Sequence, residues 1–275
     1  YSFRLKKSFA LMIPKIIHYC WFGKNKKPKL VRDCIKSWEI LHPEYKIIEW
    51  NEKNFPIDND FLLHMYKRKK WAFVSDYARL KILYEHGGYY LDTDMFLLKR
   101  LDSLKVEENT ECILCAEDKN YISFGFIGII KHFRIIKECI DYYENLIDFE
   151  SIKTIPMVLT SFFKKQYDKE IMFDKTLFYD KVIVFNSDYF YPFPLSDKKN
   201  IKSFLEYRKV NTVGIHLWSY SWEDVDEYII IRRKEYSKAL KIIIRNLFSF
   251  KPRYLKEYLG SLKYYIFKRI KLFKK

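Results

Sequence analysis

The chain has 275 residues, of which 49% are hydrophobic, 19% are aromatic and seven are glycines. This composition excludes a disordered or low-complexity chain and suits one domain of moderate size with an appendage. The formal net charge is +16, but segment 232–275 alone holds 15 basic and two acidic residues. The body before it is nearly neutral, which argues against a nucleic-acid-binding domain, because such a domain carries its basic residues on the docking face.

The first part of the chain predicts a strand, a helix and a second strand. Residues 13–20 are rich in β-branched side chains, and residues 29–41 repeat apolar side chains at helical spacing after Pro28. Residues 45–50 form the second apolar run. A strand, a helix and a strand in this order form a βαβ unit, which normally builds a parallel sheet.

Two helices, over 61–70 and 71–86, and a short strand over 89–91 are predicted next. Gly87-Gly88 ends the second helix, since glycine adopts the left-handed backbone that such a stop requires. Asp92-Thr93-Asp94 follows the short strand. The carboxyl end of a strand is where open α/β sheets bind their ligands.

The rest of the chain continues the α/β pattern. Helices are predicted over 133–146 and 156–167, and strands over 112–116, 122–130, 182–185 and 212–217. We predict one α/β domain over residues 12–225, followed by a basic helical extension over 226–275. Cys112 and Cys115 form a CxxC pair inside an apolar run without a second pair, which favours buried small side chains over a zinc or redox site.

The Asp92-Thr93-Asp94 segment supports more than one interpretation. Two aspartates after a strand can be an ordinary turn. Paired carboxylates repel each other unless a cation or a proton is shared, and Mg²⁺ or Mn²⁺ held by carboxylates and substrate phosphates is a common solution. Such an ion would neutralise the charge that develops on a leaving nucleotide. Alternatives are a haloacid-dehalogenase-like phosphatase, which also uses DxD after a strand, and a basic nucleic-acid-binding protein.

Three segments together carry a specific resemblance. They are IPKIIHYCWFG (13–23), WAFVSDYARLKILYEHGGYYLDTD (71–94) and IHLWSYSW (215–222). They resemble the DXD-containing glycosyltransferases of family 32, which include bacterial capsular-polysaccharide transferases and fungal initiating mannosyltransferases. More distantly, they are similar to the glucosyltransferase domain of large clostridial toxins. The resemblance implies a GT-A type nucleotide-binding fold with a mainly parallel central sheet, and retention of configuration at the transferred sugar.

The resemblance also implies roles on the donor side. Trp21 would stack on the nucleotide base. Asp76 and Arg79 would bind the donor sugar and ribose, with Arg79 near the departing diphosphate. Ser221 and Trp222 would complete the donor site. Without the resemblance, Trp21 is interpreted as packing, and Asp76 with Arg79 as an ordinary helix ion pair.

The implied metal ligands are Asp94, which would bind Mn²⁺ or Mg²⁺ directly, Asp92, which would contact ribose or a metal-bound water, and His216. His216 can also be a satisfied core histidine. Asp76, Arg79, Asp92 and Asp94 are the candidate catalytic residues. Whether Ser219 or Ser221 is the site serine is open, and the segment Gly125–Gly128 is a candidate border of the acceptor site.

The function that follows is a metal-dependent retaining hexosyltransferase. It would move a sugar from a UDP- or GDP-sugar to a glycan or lipid-linked glycan in surface polysaccharide synthesis. We favour front-face substitution, in which the leaving phosphate accepts the acceptor's proton. The nearly neutral body leads us to expect no nucleic-acid partner.

The basic segment 232–275, called the basic tail below, predicts a membrane partner. Apolar and aromatic residues form a stripe along segment 254–273, and most of the lysines lie away from it. An amphipathic helix of this kind binds anionic lipid surfaces. We therefore expect a cytoplasmic protein that is peripheral on the inner face of the plasma membrane.

Overall fold

A computed structural model describes residues 12–147 and 152–219. The strands are β1 Ile16–Cys20, β2 Lys46–Trp50, β3 Gly88–Leu91, β4 Met95–Leu97, β5 Cys112–Ala116, β6 Ile122–Ile129, β7 Leu177–Tyr179, β8 Val182–Phe185 and β9 Gly214–His216. The α-helices are α1 Lys29–Leu41, α2 Asp60–Lys67, α3 Trp71–His86, α4 Arg134–Glu144 and α5 Ile155–Gln166. Short 3₁₀ segments are Leu101–Ser103, Ser187–Tyr189 and the kinked Leu195–Tyr207.

Seven strands form the central sheet, in the order β2-β1-β3-β6-β5-β8-β7. The pairs β1–β2, β1–β3 and β5–β8 are parallel, whereas β6 is antiparallel to both β3 and β5, and β7 is antiparallel to β8. Five strands therefore run in one direction and two run against them. The predicted α/β class is confirmed, and the sheet is mainly parallel in strand direction but mixed in its pairings.

Both faces of this sheet are covered, which explains why its central strands read as continuous apolar runs. In β5, Cys112 and Leu114 belong to one hydrophobic core, and Ile113 and Cys115 to the other. The first core lies under α2 to α5, and the second lies between the sheet and α1. Because Cys112 and Cys115 face opposite cores, they do not form one ligand pair.

The predicted βαβ unit is present, with β1 and β2 paired in parallel from Ile16 opposite Lys46. Helix α3 has the predicted bounds, and it ends where Gly87 and Gly88 adopt φ values of 64° and 97°. His18 is fully buried in β1, and its Nε2 atom lies 2.9 Å from the carbonyl oxygen of Gly87. This contact gives His18 a structural role, since it joins β1 to the end of α3.

A second, two-stranded sheet lies beside the central one. The predicted late strand is the three-residue β9, and its partner is β4, which immediately follows Asp94. Helix α1 fixes β4 in place: the indole nitrogen of Trp38 donates to the carbonyl oxygen of Met95 at 2.7 Å, and the amide of Leu97 donates to the hydroxyl of Ser37 at 3.0 Å. This small sheet brings the distant segment around His216 to the Asp92-Thr93-Asp94 turn, called the DxD turn below.

Sequence patterning did not predict β4, β7 or the 3₁₀ segment Leu195–Tyr207. The two strands are three residues long, too short for an alternating pattern to stand out. No helix in the described part of the chain is long and apolar enough to cross a bilayer. The extension predicted over 226–275, together with Ser221 and Trp222, lies outside the described residues.

Candidate active site

The DxD turn is held by backbone hydrogen bonds on both sides. The amide of Asp92 donates to the carbonyl oxygen of Gly125 on β6 at 2.9 Å, and the amide of Met95 donates to the carbonyl oxygen of Asp92 at 2.9 Å. The carbonyl oxygen of Asp94 accepts from the amide of Leu217, just after β9, at 3.0 Å. The turn is therefore fixed between the central sheet and the two-stranded sheet.

His216 lies against both aspartates of this turn. Its Nε2 atom is 3.1 Å from Oδ1 of Asp94 and 3.7 Å from Oδ2 of Asp92. The register of the two-stranded sheet causes this proximity, because His216 pairs with Met95. The amide of Ser219 donates to Oδ2 of Asp94 at 2.7 Å, which places one of the two candidate serines beside the turn.

Burial and charge act in opposite directions on the pKa values of His216 and Asp94. Burial alone would lower the pKa of His216, but the charges of Asp94 and Asp92 outweigh it and raise that pKa to about 10. Burial alone would raise the pKa of Asp94, but the charge and hydrogen bond of His216 and the hydrogen bond from Ser219 lower it to about 2. The carboxylates of Asp92 and Asp94 therefore favour a positive charge between them. Without a metal ion, protonated His216 supplies that charge.

The same three side chains can hold a metal ion. One ligand atom each from Asp92, Asp94 and His216 lies within 4.8 Å of the others. Among the described residues, this is the one group of three or more acidic, histidine or cysteine side chains whose ligand atoms are close enough to hold a metal ion. Two carboxylates and an imidazole suit a divalent cation, which would replace the imidazole proton on binding. The Nδ1 atom of His216 is buried without a partner in the described residues, so the Nε2 atom is the one that faces the carboxylates.

Arg79 joins helix α3 to the DxD turn. Its Nη1 atom lies 3.1 Å from Oδ1 of Asp92 and donates to the carbonyl oxygen of Phe124 at 3.3 Å. Its Nη2 atom lies 3.3 Å from Oδ1 of Asp76, one helical turn earlier. The guanidinium carbon is 4.5 Å from the ring centroid of Tyr90. Arg79 is therefore a buried fork between two carboxylates, and not only the partner of Asp76 in a helix ion pair.

Asp76 is as deeply buried as its partner Arg79. Burial is the main cause that raises its pKa to about 6; the charge of Arg79 lowers this pKa, and that of Asp92 raises it further. Asp76 therefore changes its charge near neutral pH.

Trp21 lies directly after β1, at the same sheet edge as Asp92. Its indole nitrogen donates to the carbonyl oxygen of Asn25 at 2.7 Å. Trp21, Trp71, Arg79 and Asp92 line one pocket. The sequence-predicted residues Trp21, Arg79 and Asp92 thus meet at one pocket, and Asp76, Asp94 and His216 join them through direct contacts.

Three neighbours of this site were not predicted from the sequence: Glu117 directly after β5, Ser123 in β6, and Tyr191. Burial, and next the charge of Asp118, raises the pKa of Glu117 to about 7. Tyr191 is 3% exposed, and a Cβ atom on Gly125 would lie 2.7 Å from its hydroxyl. A glycine inside a strand does signal a close approach, but its neighbours become visible only in three dimensions.

One region of the chain, which contains the Asp92-Thr93-Asp94 turn, matches a known family. Residues 28–111 match the family described as the glycosyltransferase sugar-binding region containing a DXD motif. The predicted family resemblance is therefore confirmed for this region, which includes Asp76, Arg79, Asp92 and Asp94.

The chain is also similar to named glycosyltransferases. Inositol phosphoceramide mannosyltransferase 2 of Schizosaccharomyces pombe is 36% identical over 98 residues, 34% of this chain and 28% of that protein. Inositol phosphoceramide mannosyltransferase 3 of the same organism is 31% identical over 109 residues, 38% of this chain and 30% of that protein. Human alpha-1,4-N-acetylglucosaminyltransferase is 32% identical over 76 residues, 27% of this chain and 20% of that protein. The matched region thus spans less than a third of each of these relatives.

Among solved structures, the PaToxG glycosyltransferase has 17% identity and a TM-score of 0.43, over 56% of this chain and 70% of that one. A glycosyltransferase involved in glycosylation of the major capsid of PBCV-1 has 15% identity and a TM-score of 0.42, over 75% of this chain and 95% of that one.

Proposed function

We propose that this chain, which carries the DXD-containing sugar-binding region of glycosyltransferases, is a metal-dependent retaining hexosyltransferase. The observation that carries the proposal is the meeting of Asp94, Asp92 and His216 within 4.8 Å, beside a pocket that contains Trp21 and Arg79. This arrangement offers a cation site, a fixed positive charge and an aromatic face at one sheet edge. A nucleoside diphosphate-sugar needs these three features together.

Each side chain has a role in this scheme. Trp21 stacks on the nucleotide base. Arg79, held between Asp76 and Asp92, turns its guanidinium toward the departing diphosphate. Asp94 and His216 hold a Mn²⁺ or Mg²⁺ ion, with Asp92 as their partner; when bound, that ion stabilises negative charge on the leaving nucleotide.

The transfer itself is proposed as a front-face substitution. The bond between the sugar's anomeric carbon and the diphosphate oxygen breaks, and the acceptor oxygen bonds to the same carbon from the same side. The acceptor's proton passes to an oxygen of the leaving phosphate, so no protein nucleophile is needed. Arg79 and the backbone groups around the DxD turn stabilise the charge that develops.

The donor is a UDP- or GDP-sugar, and the acceptor is a glycan or a lipid-linked glycan, which we place in surface polysaccharide synthesis. The names of the relatives, two of them mannosyltransferases and one an N-acetylglucosaminyltransferase, support a hexose or a hexosamine donor. Small differences in pocket contacts decide between such donors.

The haloacid-dehalogenase-like phosphatase is less well supported. That mechanism would use the first aspartate as a nucleophile beside a downstream lysine. In the described residues, the ion-pair partners of Asp92 and Asp94 are Arg79 and His216.

A donor panel tests the proposal. Hydrolysis and transfer are measured for UDP- and GDP-sugars with Mn²⁺, Mg²⁺ or a chelator, beside a generic phosphatase substrate. We expect ion-dependent release of one nucleoside diphosphate and a product with the donor's anomeric configuration by NMR. Activity that a chelator leaves intact contradicts the metal assignment, and an inverted product contradicts front-face substitution.

The basic tail supports a second part of the proposal, an anionic membrane surface as partner and a place on the inner face of the plasma membrane. A lipid-linked acceptor would be present at that surface. Sedimentation with liposomes of anionic and of neutral lipids compares the full chain with one that lacks residues 232–275. Loss of sedimentation on removal of the segment is expected, and equal sedimentation of both chains with anionic liposomes rejects this part.

A further inference from the structure

Tyr191 has a buried hydroxyl that the proposed chemistry does not use. The residue follows the 3₁₀ segment Ser187–Tyr189 and is 3% exposed. Its hydroxyl lies beside Ser123 but meets no partner at hydrogen-bonding geometry in the described residues. A buried hydroxyl without a partner is costly, so its position calls for a partner that comes close in another state of the site.

The surroundings of Gly125 identify the carboxylate of Asp92 as the candidate partner. A Cβ atom at this position would lie 2.7 Å from the hydroxyl oxygen of Tyr191 and 2.7 Å from Oδ2 of Asp92. The two oxygens therefore border the same small space, which the glycine leaves open. One is a hydroxyl that can donate, and the other is a carboxylate oxygen that accepts.

The other contacts of Asp92 show what such a hydrogen bond would do. Oδ1 of Asp92 is already held by Nη1 of Arg79 at 3.1 Å, whereas Oδ2 lies 3.7 Å from His216. The ring of Tyr191 also packs against His216, with ring centroids 5.3 Å apart. Tyr191 therefore adjoins two of the three candidate metal ligands.

The geometry points to Tyr191 as a positioning residue for the metal site: its hydroxyl donates to Oδ2 of Asp92 once a cation occupies the site. Rotation of the Asp92 carboxylate into the space beside Gly125 brings donor and acceptor together. The carboxylate is then fixed at both oxygens, by Arg79 and by Tyr191, and its orientation toward His216 is set. This inference rests on the cation site of the proposed function.

Tyr191→Phe tests the inference, because it removes the hydroxyl and keeps the ring contacts with His216 and Trp218. Binding of Mn²⁺ to the full chain is measured by electron paramagnetic resonance, without substrate. We expect Mn²⁺ to bind about 10- to 100-fold more weakly, the range seen when an outer partner of a metal ligand is lost. Tyr189→Phe is the matched control, since that ring packs on Phe185 at 4.2 Å, and it should bind Mn²⁺ like the wild type.

A double-mutant cycle with Asp92→Asn tests the route of the effect. If Tyr191 acts through the carboxylate of Asp92, Tyr191→Phe should weaken Mn²⁺ binding much less in the Asp92→Asn background than in the wild type. Equal effects in both backgrounds overturn the inference. Circular dichroism and thermal unfolding without the ion establish that each variant is folded.

Three further outcomes overturn the inference and separate it from the proposed function. If Tyr191→Phe binds Mn²⁺ with wild-type affinity, the inference about Tyr191 is wrong and the proposed function is unaffected. Unchanged Mn²⁺ affinity with weaker binding of the nucleotide-sugar assigns the hydroxyl to the substrate instead. A wild-type chain that binds neither Mn²⁺ nor Mg²⁺ overturns the cation site of the proposed function and this inference with it.

Discussion

The Nε2 atom of His216 lies 3.1 Å from Oδ1 of Asp94, although the two residues belong to distant parts of the chain. The pairing of β4 with β9 produces this contact, since Met95 lies opposite His216. The candidate metal site therefore depends on a two-stranded sheet of only three residues per strand.

Asp94→Asn should abolish Mn²⁺ binding and lower sugar transfer by at least roughly a hundredfold, the scale for losing one group aimed at developing charge. The amide keeps the size of the side chain but removes the charge that faces His216. Mn²⁺ titration and a transfer assay check both effects. Asp102→Asn, at a half-exposed ion pair with Arg100, is the control and should retain transfer. Metal-dependent transfer by Asp94→Asn would show that Asp94 is not the direct ligand.

Arg79→Lys should destabilise the protein and abolish transfer. A lysine keeps the charge but cannot contact Asp76, Asp92 and the carbonyl oxygen of Phe124 together, as the guanidinium does. Removing one partner of a buried ion pair costs about 3–5 kcal/mol, so a loss of a few kcal/mol is expected here.

Urea unfolding and the transfer assay measure both effects of Arg79→Lys. The matched control is Arg134→Lys, because its side chain is 80% exposed, against 8% for Arg79. That change should alter the free energy of unfolding by no more than about 0.5 kcal/mol. Equal behaviour of the two variants would contradict the role of Arg79 as a buried fork.

Gly125→Ala and Gly128→Ala should distinguish an effect on the metal site from an effect on the hydrophobic core. The added Cβ atom would lie 2.7 Å from Oδ2 of Asp92 at position 125, but 2.6 Å from the ring of Tyr89 at position 128. Both variants should unfold more easily. Only Gly125→Ala should also weaken Mn²⁺ binding, and calorimetric Mn²⁺ titrations of the two folded variants decide it. If Gly125→Ala binds Mn²⁺ with wild-type affinity, the space beside Asp92 plays no part in metal binding.

Asp76 should make stability depend on pH. Burial raises its pKa in the folded protein to about 6, from an ordinary value of 3.8. The folded state therefore holds the proton more tightly than the unfolded chain does. The contribution of Asp76 is fully present below about pH 4 and is lost as pH rises to about 6, by roughly 3 kcal/mol in total.

Urea unfolding of the wild type and Asp76→Asn between pH 4 and pH 7 measures this contribution as a difference. His18 acts in the opposite direction, because burial lowers its pKa to about 4 and its contribution is lost as pH falls. It is present in both proteins, so it cancels in the difference. A difference that does not change across this range would mean that Asp76 stays ionised in the folded protein.

Local sequence determined much of this protein. Periodicity and the stop at Gly87-Gly88 predicted the bounds of α3 and placed Asp76 and Arg79 on one face of that helix. Apolar runs predicted six of the seven strands of the central sheet, all but β7, and put Asp92 and Asp94 at the end of one of them. These features depend on neighbours a few residues apart, which is why a single sequence contains them.

Only the tertiary structure decided what surrounds the two aspartates. The sequence, helped by its family resemblance, nominated His216, but the pairing of β4 with β9 brings its imidazole to 3.1 Å from Asp94. Likewise, the close approach at Gly125 brings the hydroxyl of Tyr191 near Asp92. Strand pairing and side-chain packing join residues that are far apart in the chain, and no local pattern records which partner each residue meets.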